Sequence, residues 1–334
     1  MDQSMVKHLM PENKKNELII QARGLTRRFG SLTAVDRLGI DIYRSEVFGF
    51  LGPNGAGKST LLRMLVGLMA PSDGTMQVLG YTLPKDAEKL RSKIGYMTQK
   101  FSLYEDLSVE ENLEFSAQIF GLDKKTKNTR IDEVLHDFDL EELRHRRPAV
   151  LSGGWKQRLA LAVSMIHKPE ILFLDEPTSG VDPSSRRLFW EKLFELASRG
   201  TTILVSTHYM DEAYRCHRIC MLQDGRIKAV GSPTHLTESL KGRIIEITAE
   251  PIEKAMHIVR RQPYVANVTQ LGSQAHVLLM SDSPSDKVAS VQLYKVLHAS
   301  GFKQLRSEPA EPNLEDVFVA QTQKKVRNQG DSEI

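Results

Sequence analysis

Residues 52–60 read GPNGAGKST (Gly52, Pro53, Asn54, Gly55, Ala56, Gly57, Lys58, Ser59 and Thr60), directly after the apolar run VFGFL at 47–51. Beyond them Leu61, Leu62, Leu65 and Leu68 recur at helical spacing. A strand, this glycine-rich loop and a helix, in that order, form the context in which the pattern builds a phosphate cradle. Gly52, Gly55 and Gly57 let the backbone turn tightly and aim several N–H groups at one anion. Lys58 adds a point charge at the β- and γ-phosphates, and the helix start adds its positive dipole end. The Ser59 hydroxyl is a hard oxygen suited to Mg²⁺, which shares its shell with phosphates. The stretch implies binding of a nucleoside triphosphate.

A second constellation lies at residues 151–182, LSGGWKQRLALAVSMIHKPEILFLDEPTSGVD. Ser152 is a candidate N-cap, and Gly153 and Gly154 leave first-turn N–H groups open to another anion. Leu159, Ala162, Val163 and Ile166 form the expected buried stripe of that helix. The short apolar run at 171–174 reads as a central parallel strand, and it ends in Asp175 and Glu176. Two adjacent carboxylates are costly to bury without a cation or reactant to serve, and open α/β sheets place ligands at such strand ends. Asp175 is the expected Mg²⁺ partner, through water, and Glu176 can polarise an attacking water. Asp182 caps a helix that Pro183 opens. A further strand at 201–206 leads to Thr207 and His208, and a γ-phosphate contact is the favoured reading of His208.

The remaining elements follow from patterning. Residues 17–23 and 34–43 alternate as strands, with Phe29 and Gly30 on a short loop between them. Phe29 is either a core aromatic or a platform for a purine base. Strands are expected at 75–79 and 94–98, the latter ending at Gln99, and helices at 107–121 (Ser108 as N-cap) and 125–138. The basic cluster Arg144, His145, Arg146 and Arg147 reads as a solvated loop or, alternatively, a contact surface. A hairpin is expected around Asp224-Gly225. From Gly242 the character changes to a small α+β domain, with strands at 243–249, 267–271 and 276–280 and helices at 252–261 and 288–299.

Composition sets the class. The chain has 334 residues, 40% hydrophobic and 26% charged, with 45 basic against 42 acidic side chains. That near-balance argues against a nucleic-acid partner. No apolar run approaches the ~20 residues that span a bilayer, and the polar start predicts retention in the cytosol. Cys216 and Cys220 are therefore expected to be reduced structural thiols. A metal site with His217 is the alternative, short of the four ligands that a closed zinc site takes.

With these motifs in place, the chain resembles an ABC transporter ATP-binding subunit over roughly residues 17–240. GPNGAGKST resembles Walker A, Gln99 the Q-loop glutamine, LSGGWKQRL the family signature, ILFLDEP Walker B with its glutamate, SGVD the D-loop ending at Asp182, and His208 the switch histidine. Phe29 falls where the family places its adenine-stacking aromatic. Ser45 stands where a glycine commonly precedes the glutamate, and Trp155 occupies a variable signature position. Details such as YMTQKFSLYEDLSVEENLEF, and EPNLEDVF at 311–318, resemble the daunorubicin-resistance-type multidrug exporter branch.

The resemblance implies an α/β P-loop NTPase of the ABC ATPase fold: a RecA-like core, an antiparallel β subdomain and a helical subdomain at about 100–165. A small C-terminal α+β domain would occupy 243–320, between tails at 1–16 (mobile) and 321–334 (disordered). It implies ATP and Mg²⁺ as ligands, with Ser59, Gln99 and Asp175 toward the metal. Phe29, residues 52–60, Gln99, Ser152, Gly153, Gly154 and Asp182 would face ATP, with Lys58, Glu176 and His208 catalytic. It further implies a homodimer or paired cassette that sandwiches ATP head to tail. The partner would be a membrane-spanning permease of an ABC exporter, reached from the cytoplasmic side of the inner membrane, with helices between Phe101 and Phe138 passing on the motion. An importer subunit and a soluble ATP-driven switch are the alternatives.

Overall fold

The structure, a computed structural model, describes residues 17–99 and 102–322. The expectation for the 1–16 tail, and most of that for 321–334, lies outside the described residues. The chain divides into two compact units, Met1–Ile227 and Lys228–Ile334.

The first unit carries two sheets, the second of which has an edge strand that runs on past Ile227. β1 (Leu18–Phe29), β2 (Leu32–Tyr43), β4 (Asp73–Val78) and β5 (Tyr81–Leu83) make an antiparallel sheet in the order β2-β1-β4-β5. The second sheet runs β10-β9-β3-β8-β7-β6, from β3 (Val47–Leu51), β6 (Ile94–Met97), β7 (Ile171–Asp175), β8 (Thr202–Thr207), β9 (Arg218–Gln223) and β10 (Arg226–Gly231). Every residue of β3, β7 and β8 is buried, as expected of parallel strands covered on both faces. β8 lies between β3 and β7, in a register that pairs Leu51 with Thr207 and Asp175 with Ser206. That register brings the C-terminal ends of three strands side by side.

The helices of this unit are α1 (Lys58–Leu65), α2 (Ala87–Arg91), α3 (Val109–Ile119), α4 (Lys124–Asp137), α5 (Gly153–Met165), α6 (Pro183–Ser198) and α7 (Met210–Ala213). Ser108 and Glu111 form a reciprocal capping box on α3, which satisfies two otherwise orphaned donors. Arg130 of α4 donates to the carbonyls of Met165 and Ile166 at 2.9 Å each, closing the C-terminal end of α5 with a cation as the helix dipole favours. Two local expectations are corrected. α1 stops at Leu65 and Gly67 takes φ 77°, so Leu68 leaves the helical stripe and is 60% exposed. Phe29 closes β1 instead of sitting on a loop, and it is 42% exposed, which removes its core reading.

The basic cluster and the cysteines, which the sequence left ambiguous, have structural duties. In the basic cluster, the backbone carbonyls of Arg144 and Arg146 accept the Glu110 and Val109 amides, and Arg144 pairs with Glu110 at 2.6 Å. Cys216 and Cys220 are buried free thiols whose pKa burial pushes up. His217 Nδ1 accepts the Val47 amide at 2.9 Å. Among the described residues no cluster of His, Cys, Asp and Glu suits a metal. Ser45, in the place of a glycine, adopts φ 61°. Thr202 Oγ1 accepts its amide at 2.8 Å, which offsets part of the cost of that conformation.

In the second unit α8 (Pro233–Glu238) precedes β11 (Ile244–Ala249), α9 (Ile252–Arg260), β12 (Val265–Leu271), β13 (Gln274–Leu279), α10 (Asp286–Ala299), β14 (Leu305–Pro309) and α11 (Leu314–Thr322). The antiparallel sheet runs β12-β13-β11-β14, the split β-α-β arrangement. Ala255, Val259, Leu293 and Leu297 pack with Ile245, Ile247 and Val277 in one core. β14 and α11 were not anticipated from patterning. α11 is held through Asp316, which accepts from buried His276 Nδ1 at 2.9 Å and from the Asn313 amide at 2.9 Å.

The Asp316 hydrogen bond raises the His276 pKa. The folded state therefore holds this proton more tightly than the unfolded chain. Its contribution is full below about pH 6.5, the ordinary histidine value, and is lost as pH rises through the raised one. Asp316→Asn should accordingly speed amide exchange across α11 at pH 6, with the gap to wild type narrowing by pH 9. A gap that stays constant with pH would show that the charge on His276 does not secure the helix.

Candidate functional site

The loop after β3 is built around α1. Its N-cap, Gly57, adopts φ 98°, and a Cβ there would come within 2.4 Å of the Ala34 carbonyl oxygen. Only glycine meets both demands. The Gly52 amide reaches the Thr207 carbonyl at 3.3 Å, linking the loop to the end of β8. Pro53, Asn54 and Gly55 are exposed, while Gly57, Ser59 and Thr60 are half-buried.

Lys58 is 4% exposed, and its Nζ donates to the carbonyls of Gly52 (2.8 Å) and Pro53 (3.1 Å). Its third partner is Glu176 Oε1 at 3.1 Å, from a carboxylate 9% exposed. Gln99 Nε2 donates to Glu176 Oε2 at 3.2 Å, and His208 Nδ1 stands 3.4 Å from that oxygen without bonding it. Glu176 takes φ 46°, and its amide is held by Ser206 Oγ at 2.9 Å. Asp175, 2% exposed, accepts from Ser59 Oγ at 2.9 Å and from Ser206 Oγ at 2.7 Å. The structure thus brings together Lys58, Ser59, Gln99, Asp175, Glu176 and His208 from four chain segments.

The other predicted residues lie apart from this cluster. Ser152 and Gly153 are exposed at the start of α5, and the Ser152 hydroxyl makes no cap bond. Asp182 caps α6 through the Ser185 amide at 2.9 Å. The Phe29 ring lies under the Arg27 guanidinium at 4.7 Å. Ser206 is the residue that sequence reading missed. Its signal was a hydroxyl near the end of the strand TILVST, just before Thr207 and His208.

A glycine-rich loop capping a helix, with a buried lysine facing an acid pair at the end of β7, is an arrangement of the P-loop class. Residues 35–179 match the family model described as ABC transporter. The Nod factor export ATP-binding protein I of Ralstonia nicotianae is 36% identical over 312 residues, 93% of this chain and 95% of that protein. The probable multidrug ABC transporter ATP-binding protein YbhF of Escherichia coli K12 is 45% identical over 225 residues, 67% of this chain. The chain spans only 39% of YbhF's length. A dimeric post-hydrolysis state of the ATP-binding cassette MJ0796 bound to ADP and Pi is similar at 27% identity and TM-score 0.59, over 64% of this chain and 98% of that one. The chain belongs to the ABC transporter ATP-binding proteins, the ABC ATPases. No helix among the described residues is long and apolar enough to cross a membrane.

Gly57→Ala should lower ATP affinity at least tenfold, because a Cβ must displace the Ala34 backbone and the α1 start with it. Equilibrium titration with a fluorescent ATP analogue checks this, and wild-type affinity would contradict the reading of the loop.

Proposed function

We propose that this chain is the ATP-hydrolysing motor of an ABC exporter, driving efflux of a drug-like or other amphiphilic molecule through a separate membrane-spanning permease. The observation that carries the motor reading is the convergence of Lys58, Asp175, Glu176 and His208 at the ends of β3, β7 and β8. The direction of transport rests on similarity across nearly the full length to proteins named for export.

Residues 52–60 would wrap the phosphates, with Lys58 neutralising the β- and γ-groups. Lys58 and Glu176 now pair at 3.1 Å, so an entering γ-phosphate competes for the ammonium and frees the carboxylate to face water. Glu176 would then align that water for in-line attack on the γ-phosphorus. The β–γ bridging bond breaks, and ADP and phosphate leave. His208 would hold the γ-phosphate during this step. The Ser59 hydroxyl and the Asp175 carboxylate present hard oxygens 2.9 Å apart, a donor set that fits Mg²⁺, with Gln99 as a further ligand. When bound, Mg²⁺ would neutralise charge developing on the phosphates. Phe29, exposed at the end of β1, would stack on the adenine.

The start of α5 supports a paired arrangement. Ser152, Gly153 and Gly154 make no hydrogen bond or ion pair to the Lys58 cluster among the described residues. They would serve the nucleotide of a second copy, with Asp182 beside them. The dimer would work at the cytoplasmic face of the inner membrane, with Gln99 and α3–α4 of each copy toward the permease.

Glu176→Gln should retain ATP binding, lose about 10²–10⁴-fold in turnover and accumulate as an ATP-bound dimer. Phosphate release and light scattering measure these outcomes. Wild-type turnover would refute the role of Glu176, and a monomer saturated with Mg-ATP beside its permease would refute the sandwich.

A further inference from the structure

Glu212 lies outside every motif described above. It sits on the single turn of α7 and is 1% exposed, although a carboxylate is among the side chains least often buried. Two buried hydroxyls occupy its two oxygens. Thr178 Oγ1 donates to Oε1, and Thr207 Oγ1 donates to Oε2 at 2.5 Å. Both threonines are 1% exposed.

The positions of these two partners matter more than their number. Thr207 immediately precedes His208, and its hydroxyl also accepts the Tyr209 amide at 3.0 Å. The backbone on both sides of His208 is therefore tied to the same carboxylate. Thr207 also accepts the Gly52 amide through its carbonyl at 3.3 Å, so the phosphate loop rests on the same residue. Thr178 lies two residues beyond Glu176, in a turn where the Ser179 amide reaches the Glu176 carbonyl (3.2 Å) and the Val181 amide reaches that of Thr178 (3.2 Å). The carboxylate thus spans the loop after β7 and the loop after β8.

One cation completes the surroundings. Arg186 Nε on α6 stands 3.7 Å from Glu212 Oε1, beyond hydrogen-bond reach, and its guanidinium covers the Tyr209 ring at 4.2 Å. Asp211 is the other carboxylate near that guanidinium, at 3.7 Å. The Cys216 thiol contacts the Glu212 carbonyl rather than its side chain, at 3.7 Å.

We propose that Glu212 is a positioning residue for ATP hydrolysis: it clamps Thr178 and Thr207 to one carboxylate and so fixes the separation of Glu176 and His208. The proposal rests on the catalytic roles of those two residues given above. A rigid clamp is needed because both act on one γ-phosphate from different loops, and small misplacements of reacting groups are expensive. A neutral amide weakens the clamp, since its NH₂ end only donates and one threonine hydroxyl must turn from donor to acceptor.

The test is steady-state ATPase kinetics of the full chain, with nucleotide affinity measured separately. Glu212→Gln should lower kcat about tenfold while ATP affinity stays within twofold of wild type, because the phosphate loop keeps its own contacts. Thr178→Val should lower kcat similarly, and Thr178→Ser should restore it. The Glu212→Gln/Thr178→Val double variant should lose little beyond either single change, as expected of residues acting through one contact. Additive losses would overturn the clamp. So would a lowered melting temperature with unchanged kcat per folded molecule. Glu176→Gln is assayed in parallel: if it turns over normally, the catalytic reading itself fails. If it is inactive while Glu212→Gln is wild type, only the clamp fails.

Discussion

Lys58 and Glu176 bury opposite charges against each other at the end of a parallel sheet, and the site depends on that pairing. Removing either charge from water is costly, and losing one partner strands the other. Lys58 has three donors, and two are committed to the carbonyls of Gly52 and Pro53. The third is shared with Glu176 and is the one a phosphate can claim. In the proposed cycle, binding and catalysis are therefore coupled through a single proton donor. The same ammonium shapes the loop, neutralises the acid and would receive the nucleotide.

The sheet makes this possible by register. Parallel pairing of β8 with both β3 and β7 sets Leu51 beside Thr207 and Asp175 beside Ser206, so residues more than a hundred apart in sequence meet at one edge. Ser206 then joins the layers, bonding the Asp175 carboxylate on one side and the Glu176 amide on the other. Glu176 takes a positive φ immediately beyond the end of β7, and its carboxylate meets Lys58. Backbone strain here is small in cost and local in effect.

The fold class was legible in the sequence, and the structure brings together the motif residues Lys58, Ser59, Gln99, Asp175, Glu176 and His208. Glycine spacing, an adjacent lysine and a strand-end acid pair are constraints of chemistry, and they survive translation into structure because few other arrangements satisfy them. Elements set by tertiary contact were harder to see. β14 reads LRSEP and is half-buried at a sheet edge, with no apolar run to mark it. Leu68 keeps the numerical period of α1 past the point where Gly67 ends the helix, a stop signal that the periodicity overrode. Glu212 and Thr178 carry no local signal, since a buried carboxylate and its hydroxyls are recognisable only once their strands are adjacent.

α5 links these features to the paired arrangement. Its C-terminal end is closed by Arg130, whereas its N-terminal end has no side-chain cap, so the anion-attracting pole is the exposed one. Near that pole Gln157 donates to the Pro177 carbonyl, one residue beyond Glu176. A group engaging the start of α5 is therefore connected, through one turn of helix and one amide, to the loop that carries Glu176. Should a second copy's nucleotide dock there, its presence would be felt at Glu176 of the same chain without any contact between the two nucleotides. Reciprocity of that kind needs no separate relay, because α5 and the residue that follows the acid pair already share a hydrogen bond.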